Sequence, residues 1–309
     1  MPKPTTHNIN IRPYTRLMNW YRRHNYYIPG LNTAARLMLK IRFAKEKSKV
    51  EDYYQNQTEA YKQWIAKTPL FFGFGSFRSG TVFLSNMLKT EIPNSHIEHE
   101  ANVLDYWNYP KALQSDKAAL EYIQQFRLKE IFWRTKAVPV AIYGEVNPFL
   151  RLHAKAIKLE LPDVKLFHIV RDGREVVRSI YSREILGKSD PLNPLIKPPT
   201  TDPYASKWQG MSRFEKICWQ WQFDNRFIRE ATGHNIKFEQ LRSDYNYFKA
   251  TLLDYLELDI SKATWESYVS QKQNITPTYR LPHWKDWTAE QQNTFEQICG
   301  DEMRACGYS

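Results

Sequence analysis

The stretch Pro69 to Leu88, PLFFGFGSFRSGTVFLSNML, constrains the fold of this chain more than any other. Leu70 to Phe74 is short, apolar and aromatic, which predicts a buried strand. Gly75, Ser76, Phe77, Arg78, Ser79, Gly80 and Thr81 follow it, and from there Val82, Phe83, Leu84, Met87 and Leu88 recur at helical spacing. A strand, a tight Gly-bounded loop and a helix in that order build an anion site. The first N–H groups of such a helix have no intrahelical partner and point into the loop. The glycines let the backbone come close, and Arg78 adds a fixed positive fork suited to phosphate or sulfate. A plain Gly turn between strand and helix is the other reading of the same residues.

The nucleoside-triphosphate P-loop needs Gly, four residues, Gly, Lys and then Ser or Thr. Gly75 and Gly80 have that spacing, but Thr81 stands where the Lys belongs, and the cation has moved inside the loop as Arg78. The expectation is therefore a phosphate cradle without triphosphate–magnesium chemistry, and no metal site.

A second stretch, Val164 to Arg183, reads VKLFHIVRDGREVVRSIYSR. Lys165 to Val170 predicts a strand, Arg171 to Gly173 a turn, and Arg174 to Arg183 a helix with Val176, Val177, Ile180 and Tyr181 on its apolar side. Arg171 then sits at the C-terminal end of a strand, where open α/β sheets bind ligands. Ser179 lies about two helical turns further on.

With these two stretches in hand, the chain resembles the sulfotransferases that use 3′-phosphoadenosine 5′-phosphosulfate (PAPS), in motif style the tyrosylprotein, carbohydrate and bacterial members. The resemblance covers roughly Leu70 to Ser309. It implies that a loop like FRSGT holds the 5′-phosphosulfate, through Arg78, Ser79, Gly80, Thr81 and Val82. It implies that Arg171 and Ser179, in RDGREVVRS, hold the 3′-phosphate. NIKFEQL (Asn235 to Leu241) looks like the family's Tyr-Glu-x-Leu strand with Phe238 in place of Tyr, and HWKDWT (His283 to Thr288) looks like its Trp-Lys loop near the nucleotide. Phe238, Arg280, Trp284 and Lys285 join the cofactor-binding candidates on that basis. The implied product is adenosine 3′,5′-bisphosphate.

The 309 residues suffice for one large α/β domain or two small ones. The reading adopted is a basic, aromatic-rich helical extension over 1–68 and one α/β domain over 69–309, a P-loop-like, mainly parallel sheet flanked by helices. No apolar run approaches the ~18 residues of a membrane span, and the N-terminus lacks the apolar centre of a signal peptide. A Golgi-type anchor is thus not expected, and Cys218, Cys299 and Cys306, scattered and odd in number, point to a reducing, cytoplasmic setting. Residues 1–50 hold 11 of the 44 Lys and Arg against one acid, Glu46, so that stretch carries +10 of the net +11. Its aromatics are Tyr14, Trp20, Tyr21, Tyr26, Tyr27 and Phe43. Interleaved with bases, they suit an anionic membrane surface, a nucleic acid or an anionic polymer. The plainer reading is a set of helical arms clasping the domain, with Leu37, Leu39, Ile41 and Phe43 as packing face. No nucleic-acid partner is expected, and peripheral membrane contact stays open.

Glu51 to Lys67 reads as a helix, His96 to Glu100 and Val138 to Tyr143 as strands, and Lys111 to Trp133 as one or two polar helices. A further helix reaches Leu159. Arg213 to Thr232, Tyr245 to Leu258 and a run from Thr288 to Met303 follow as helices. Gly187 to Gly210 has no regular period and five prolines, which fits either an acceptor-binding lid or disorder.

Transfer to a hydroxyl needs a base. Relatives that use Glu carry it at about the place of Glu100, which makes Glu100 the first candidate. His99 is a further candidate in the same cluster, and strand alternation puts Glu98 and Glu100 on one face and His99 on the other. A surface role for both acids is the alternative. Glu145 is the rival base, at the end of the Val138 to Tyr143 strand. The tyrosylprotein enzymes have Lys-Asp-Pro where this chain has Val146-Asn147-Pro148, a departure that speaks against protein-tyrosine specificity and leaves Arg78, Arg280 and Lys285 as candidates to supply the charge. The acceptor is expected to be a hydroxyl or amine of a carbohydrate, a glycolipid or a small metabolite. A nucleotide-dependent kinase, or a surface binder acting through the basic N-terminus, are the competing readings.

Overall fold

The computed structural model describes residues 30–135, 140–183, 185–188, 190–271, 276 and 278–309. The aromatic residues Tyr14 to Tyr27 and the expected strand start at Val138 lie outside them. Helices α1 (Leu31–Gln55) and α2 (Thr58–Lys67) lead into strand β1 (Leu70–Phe74). Then come α3 (Thr81–Glu91), β2 (Ser95–His99), α4 (Val103–Gln114), α5 (Asp116–Tyr122) and α6 (Leu128–Thr135). Strand β3 (Ile142–Val146), helix α7 (Ala154–Glu160), β4 (Lys165–Val170) and α8 (Gly173–Tyr181) follow. The long α9 (Arg213–Thr232), β5 (Asn235–Lys237), α10 (Phe238–Ser243), α11 (Lys262–Val269) and α12 (Ala289–Ala305) complete the order.

The five strands form one sheet in the order β2-β3-β1-β4-β5, and every pairing is parallel. β1 is central, with Phe72 opposite Glu145 on one side and Leu166 on the other. All five β1 residues are buried. Both faces of the strand are covered by helices, so a continuous apolar run replaces alternation. α3 and the C-terminal helical run cover one face, through Phe83, Leu84, Met87, Leu252 and Leu253. α8, α9 and the α4–α7 group cover the other, with Trp219 and Trp221 of α9 among its largest buried side chains. A capping box, Ser212 with Glu215, starts α9, and Gly233 at φ 64 ends it. A second box, Thr288 with Gln291, starts α12.

Several expected boundaries move. The third strand runs Ile142–Val146, displaced toward the C-terminus of the expected Val138 to Tyr143, so that Glu145 lies inside it. Tyr245 to Leu258 is not one regular helix. It runs as Tyr245–Phe248, a wide turn over Lys249–Leu253 and Asp254–Leu256. The extra residue per turn turns Leu252, Leu253 and Leu256 all into the core. In α1, Leu39 and Val50 are buried and Phe43 packs on Phe126, whereas Leu37 and Ile41 face outward, so only part of the expected packing face packs. No helix among the described residues is long and apolar enough to cross a membrane.

Candidate active site

In a parallel sheet every strand delivers its following loop to the same edge. β1 has β3 on one side and β4 on the other, and the crevice outside the strand ends at such a reversal is where ligands bind. A cavity of about 360 Å³ opens there. Arg78 and Gly80 from the loop after β1 and Thr81 and Val82 at the start of α3 line it, as do His99 at the end of β2, Glu100 just past it, Phe149 after β3, Arg171 after β4 and Phe238 after β5.

The loop after β1 is held by its own backbone. Ser79 Oγ donates to the Ser76 carbonyl at 2.7 Å, so this buried hydroxyl is turned into the loop. Gly80 has φ 99, and a Cβ there would meet the Phe238 ring at 2.1 Å. Only glycine combines that dihedral with so close an aromatic neighbour. Arg78 also lies at positive φ, 70°. Its Nε donates to Ser179 Oγ at 3.0 Å, and Ser179 Oγ in turn meets Thr276 Oγ1 at 2.9 Å. Arg171 Nη1 donates to the Arg78 carbonyl at 3.1 Å. The two motifs, about a hundred residues apart in sequence, are thus cross-linked in one site.

Arg183 and Arg242 are further guanidiniums in the cavity wall, and the buried Nε of each has no hydrogen-bond partner among the described residues. Burial above all, and then the charges of Arg183 and Arg171, pulls Arg78 down to about 10. Crowded cations of this kind favour an anion between them. Arg213 holds the turn that carries Arg183, donating to the Tyr181 and Ile185 carbonyls at 2.9 Å each. Arg183 was missed in the sequence, although its position four residues after Ser179, one helical turn on, was the available signal.

Glu100 has φ 49, a left-handed conformation just past the end of β2. Strand alternation therefore stops at His99, and His99 and Glu100 both line the cavity, which corrects the expectation that they point apart. His99 Nε2 lies 3.1 Å from Thr81 Oγ1 and 3.9 Å from Glu100 Oε1. Burial pulls the His99 imidazole down to about 4, against the raising effect of the Glu145 charge. Glu98 faces away, bound to Arg134 and 3.3 Å from His96 Nε2. Burial raises its carboxyl, but those partners outweigh it and bring it to about 2.

Glu145 is fully buried and does not line the cavity. Its carboxylate accepts from Arg127 at 2.6 and 2.7 Å, from Tyr143 at 2.9 Å and from Asn147 at 2.7 Å. Arg127 also binds Asp105 and Glu130, and burial pushes Asp105 up to about 6 against the pull of Arg127. With its oxygens committed to this network, Glu145 is a structural ion and is unsuited to the base role weighed for it. The counter-ions come from 18 residues upstream, which no local motif announces.

Ser79 and Ser179 are buried and do not themselves line the cavity, and Trp284, Lys285 and Arg280 also stand apart from its lining. Trp284 carries the Arg174 guanidinium 4.4 Å over its ring, and Trp284 borders a neighbouring hollow. Lys285 is exposed in the same short turn, Trp284–Asp286. Arg280 is exposed and its backbone N–H donates to Ser182 Oγ at 2.9 Å, while its neighbour Tyr279 reaches the cavity.

Part of the remaining wall is apolar and aromatic, made by Tyr106, Phe149, Ile185, Leu192 and Ile196, beside the polar Asp190, Arg242 and Thr276. Leu192 and Ile196 come from the proline-rich segment, which is built of turns. Asp190 organises it, accepting from Leu186 N at 3.1 Å, Leu192 N at 3.0 Å and Tyr106 OH at 3.1 Å.

No protein-family model and no curated protein matches the chain. Among solved structures, sulfotransferase STF9 from Mycobacterium avium is similar at a TM-score of 0.50 and 10% identity, over 84% of this chain and 82% of that one. Sulfotransferase STF1 from Mycobacterium tuberculosis H37Rv gives 0.45 at 12% identity, over 81% and 82% of the two chains. The mouse sulfotransferase SULT7A1 complexed with PAP gives 0.44 at 13%, over 77% and 84%. The likeness to the first of these establishes the fold as that of the sulfotransferases.

Proposed function

We propose that this chain, built on the sulfotransferase fold, moves a sulfuryl group from PAPS to a hydroxyl or amine of a small acceptor. The observation that carries this reading is the convergence of Arg78, Arg171, Arg183 and Arg242 on one cavity, with Arg78 bonded to Ser179 and Arg171 to the Arg78 carbonyl. The residues fit the donor. An Arg183 Nε without a partner among the described residues, crowded cations and the N-terminal end of α3, whose first N–H groups have no intrahelical acceptor, all call for a multiply charged anion. Arg78 and the backbone of Gly80 to Val82 would hold the 5′-phosphosulfate end. Arg171 and Ser179 would hold the 3′-phosphate, with the Phe238 ring beside them. Bound there, PAPS supplies an activated sulfuryl group.

The chain's own part is to position, to neutralise charge and to take one proton. Glu100 takes the proton of the attacking hydroxyl as base. His99, uncharged and bonded to Thr81, fixes the start of α3 beside it. The acceptor oxygen thereby gains the sulfuryl group and gives up its proton, leaving adenosine 3′,5′-bisphosphate behind. The apolar wall of Tyr106, Phe149, Leu192 and Ile196 favours an acceptor with an aliphatic or aromatic body. That suits a glycolipid or an apolar metabolite better than a bare polysaccharide. A kinase would want a Lys at Thr81 to reach the β,γ-phosphates, and the Thr81 hydroxyl is engaged by His99 instead.

The first test is calorimetry with adenosine 3′,5′-bisphosphate and AMP. Arg171→Ala and Ser179→Ala each weaken the bisphosphate by about 1.5–3 kcal/mol, the scale of a hydrogen bond to a charged group, and AMP by less. Equal losses for both ligands mean that these residues act only through Arg78. Absence of bisphosphate binding by the unaltered protein sinks the proposal.

A further inference from the structure

Helix α1 carries two apolar faces, and only one is covered. Ala35, Leu39 and Val50 are buried against the domain, and Phe43 packs edge-on to Phe126 at 5.4 Å. On the opposite side Leu37, Met38 and Ile41 are 57%, 55% and 60% exposed. At about 100° per residue these three lie within one arc, with Ala34 and Ala44 beside them. Lys40 borders that arc on one side and Lys49 on the other, Lys45 lies on the arc itself one turn beyond Ile41, and all three are exposed. An apolar centre edged by long cationic side chains is the pattern of a helix lying in a membrane interface. Its lysine stems cover apolar surface while the ammonium groups reach lipid phosphates.

We propose that this face of α1 docks the protein on an anionic membrane surface. Leu37, Met38 and Ile41 enter the headgroup–acyl boundary, and Lys40, Lys45 and Lys49 meet the lipid phosphates. Charge complementarity selects this occupant. The first fifty residues carry +10 of the net +11, with six of their eleven bases and their one acid in the α1 part, 31–50, whereas the body of the chain is almost neutral. Juxtamembrane bases draw a chain to an anionic leaflet at short range. A second copy of the chain is disfavoured by size and by charge. Three side chains offer far less than the ~800 Å² per partner that a stable protein interface buries. A two-fold contact would also bring like-charged lysines together. The helix is already folded and held by the domain, so docking costs no ordering of this segment.

The surface is linked to the cavity. Asn32 Nδ2 donates to the Lys188 carbonyl at 3.0 Å, and Arg36 Nη1 to the Pro191 carbonyl at 3.1 Å. These carbonyls flank Asp190, which orders the cavity wall. α1 therefore holds the wall segment from outside, and the proposed docking face lies on the same helix.

The test is co-sedimentation of the full chain with vesicles of phosphatidylcholine, with and without phosphatidylglycerol. Binding is expected only with phosphatidylglycerol, and it falls as salt shortens the Debye length. Leu37→Glu with Ile41→Glu, and separately Lys40→Glu with Lys45→Glu, each weaken binding by roughly 10-fold or more. Thermal melts of both variants should match the parent, because all four positions are exposed. No binding to anionic vesicles at low salt overturns the proposal. So does undiminished binding by both variants, which would assign the contact to residues 1–29. A dimer seen by light scattering and dissociated by Leu37→Glu also overturns it, in favour of a second copy.

Discussion

Glu100 and His99 bring the chemistry down to one dihedral angle. Had the strand continued, alternation would have sent His99 to the opposite side from Glu100. The positive φ of Glu100 turns the chain, and both groups reach the same cavity. Their environments separate their roles. His99 is pulled down to about 4 by burial, so it stays uncharged across about pH 5–8, where an ordinary histidine titrates. Its Nε2 is engaged with Thr81. The Glu100 side chain is 41% exposed and stands at the cavity wall. Glu100→Gln keeps shape and hydrogen-bonding capacity but loses the basic oxygen. With PAPS saturating, kcat is expected to fall by roughly 10²-fold or more while bisphosphate affinity is nearly intact. His99→Gln, which can still bond Thr81, should cost less in kcat. The reverse ranking would pass the base to His99 and leave Glu100 as a surface carboxylate.

At the scale of elements, the strand–loop–helix unit was legible because everything it needs is contiguous. The apolar run of β1, Gly75, Gly80 and the spacing of α3 all lie within Leu70–Glu91. The same holds for β4 and α8. Groups that meet only through tertiary packing were not legible. Arg127 reaching Glu145, Tyr106 reaching Asp190, and Leu192 and Ile196 turned to the cavity depend on chain crossings that no periodicity encodes. Sequence alternation failed at Glu100 because it presumes a continuing strand. Gly80 ties the legible unit to the rest, since its φ of 99 sets the loop and its bare Cα admits the Phe238 ring from β5's far end. Gly80→Ala is expected to destabilise the fold by about 1–2 kcal/mol from the dihedral alone, with the ring clash adding to it. It should also weaken adenosine 3′,5′-bisphosphate. An unchanged denaturation midpoint together with unchanged nucleotide affinity would refute the structural role given to this position.

For the whole molecule, the cavity has two halves of different origin. The cationic half is made by loops at the C-terminal ends of β1 and β4, strands buried at the centre of the sheet. Such a half is rigid before any ligand arrives. The apolar half includes Leu192 and Ile196 from a segment of turns, which rests on Asp190 within and on α1 without. The described backbone bonds within 187–196, such as Asp190 N to Gly187 O and Ile196 N to Leu192 O, close local turns and do not tie the segment to the sheet, so its placement depends on those outer contacts. Arg36 gives the test, because its guanidinium spans from Thr33 Oγ1 to the Pro191 carbonyl and touches nothing in the cavity. Loss of that bond should release on the order of 1 kcal/mol of wall closure, a several-fold effect on whatever binds there. Arg36→Ala is therefore expected to speed amide exchange over 186–196 and to raise the acceptor KM several-fold, while bisphosphate affinity holds. The split matters, since a general loosening of the fold would move both constants together. Exchange over 186–196 that matches the parent would show that the wall orders itself through Asp190 alone. A parallel loss of bisphosphate affinity would show that the two halves move as one.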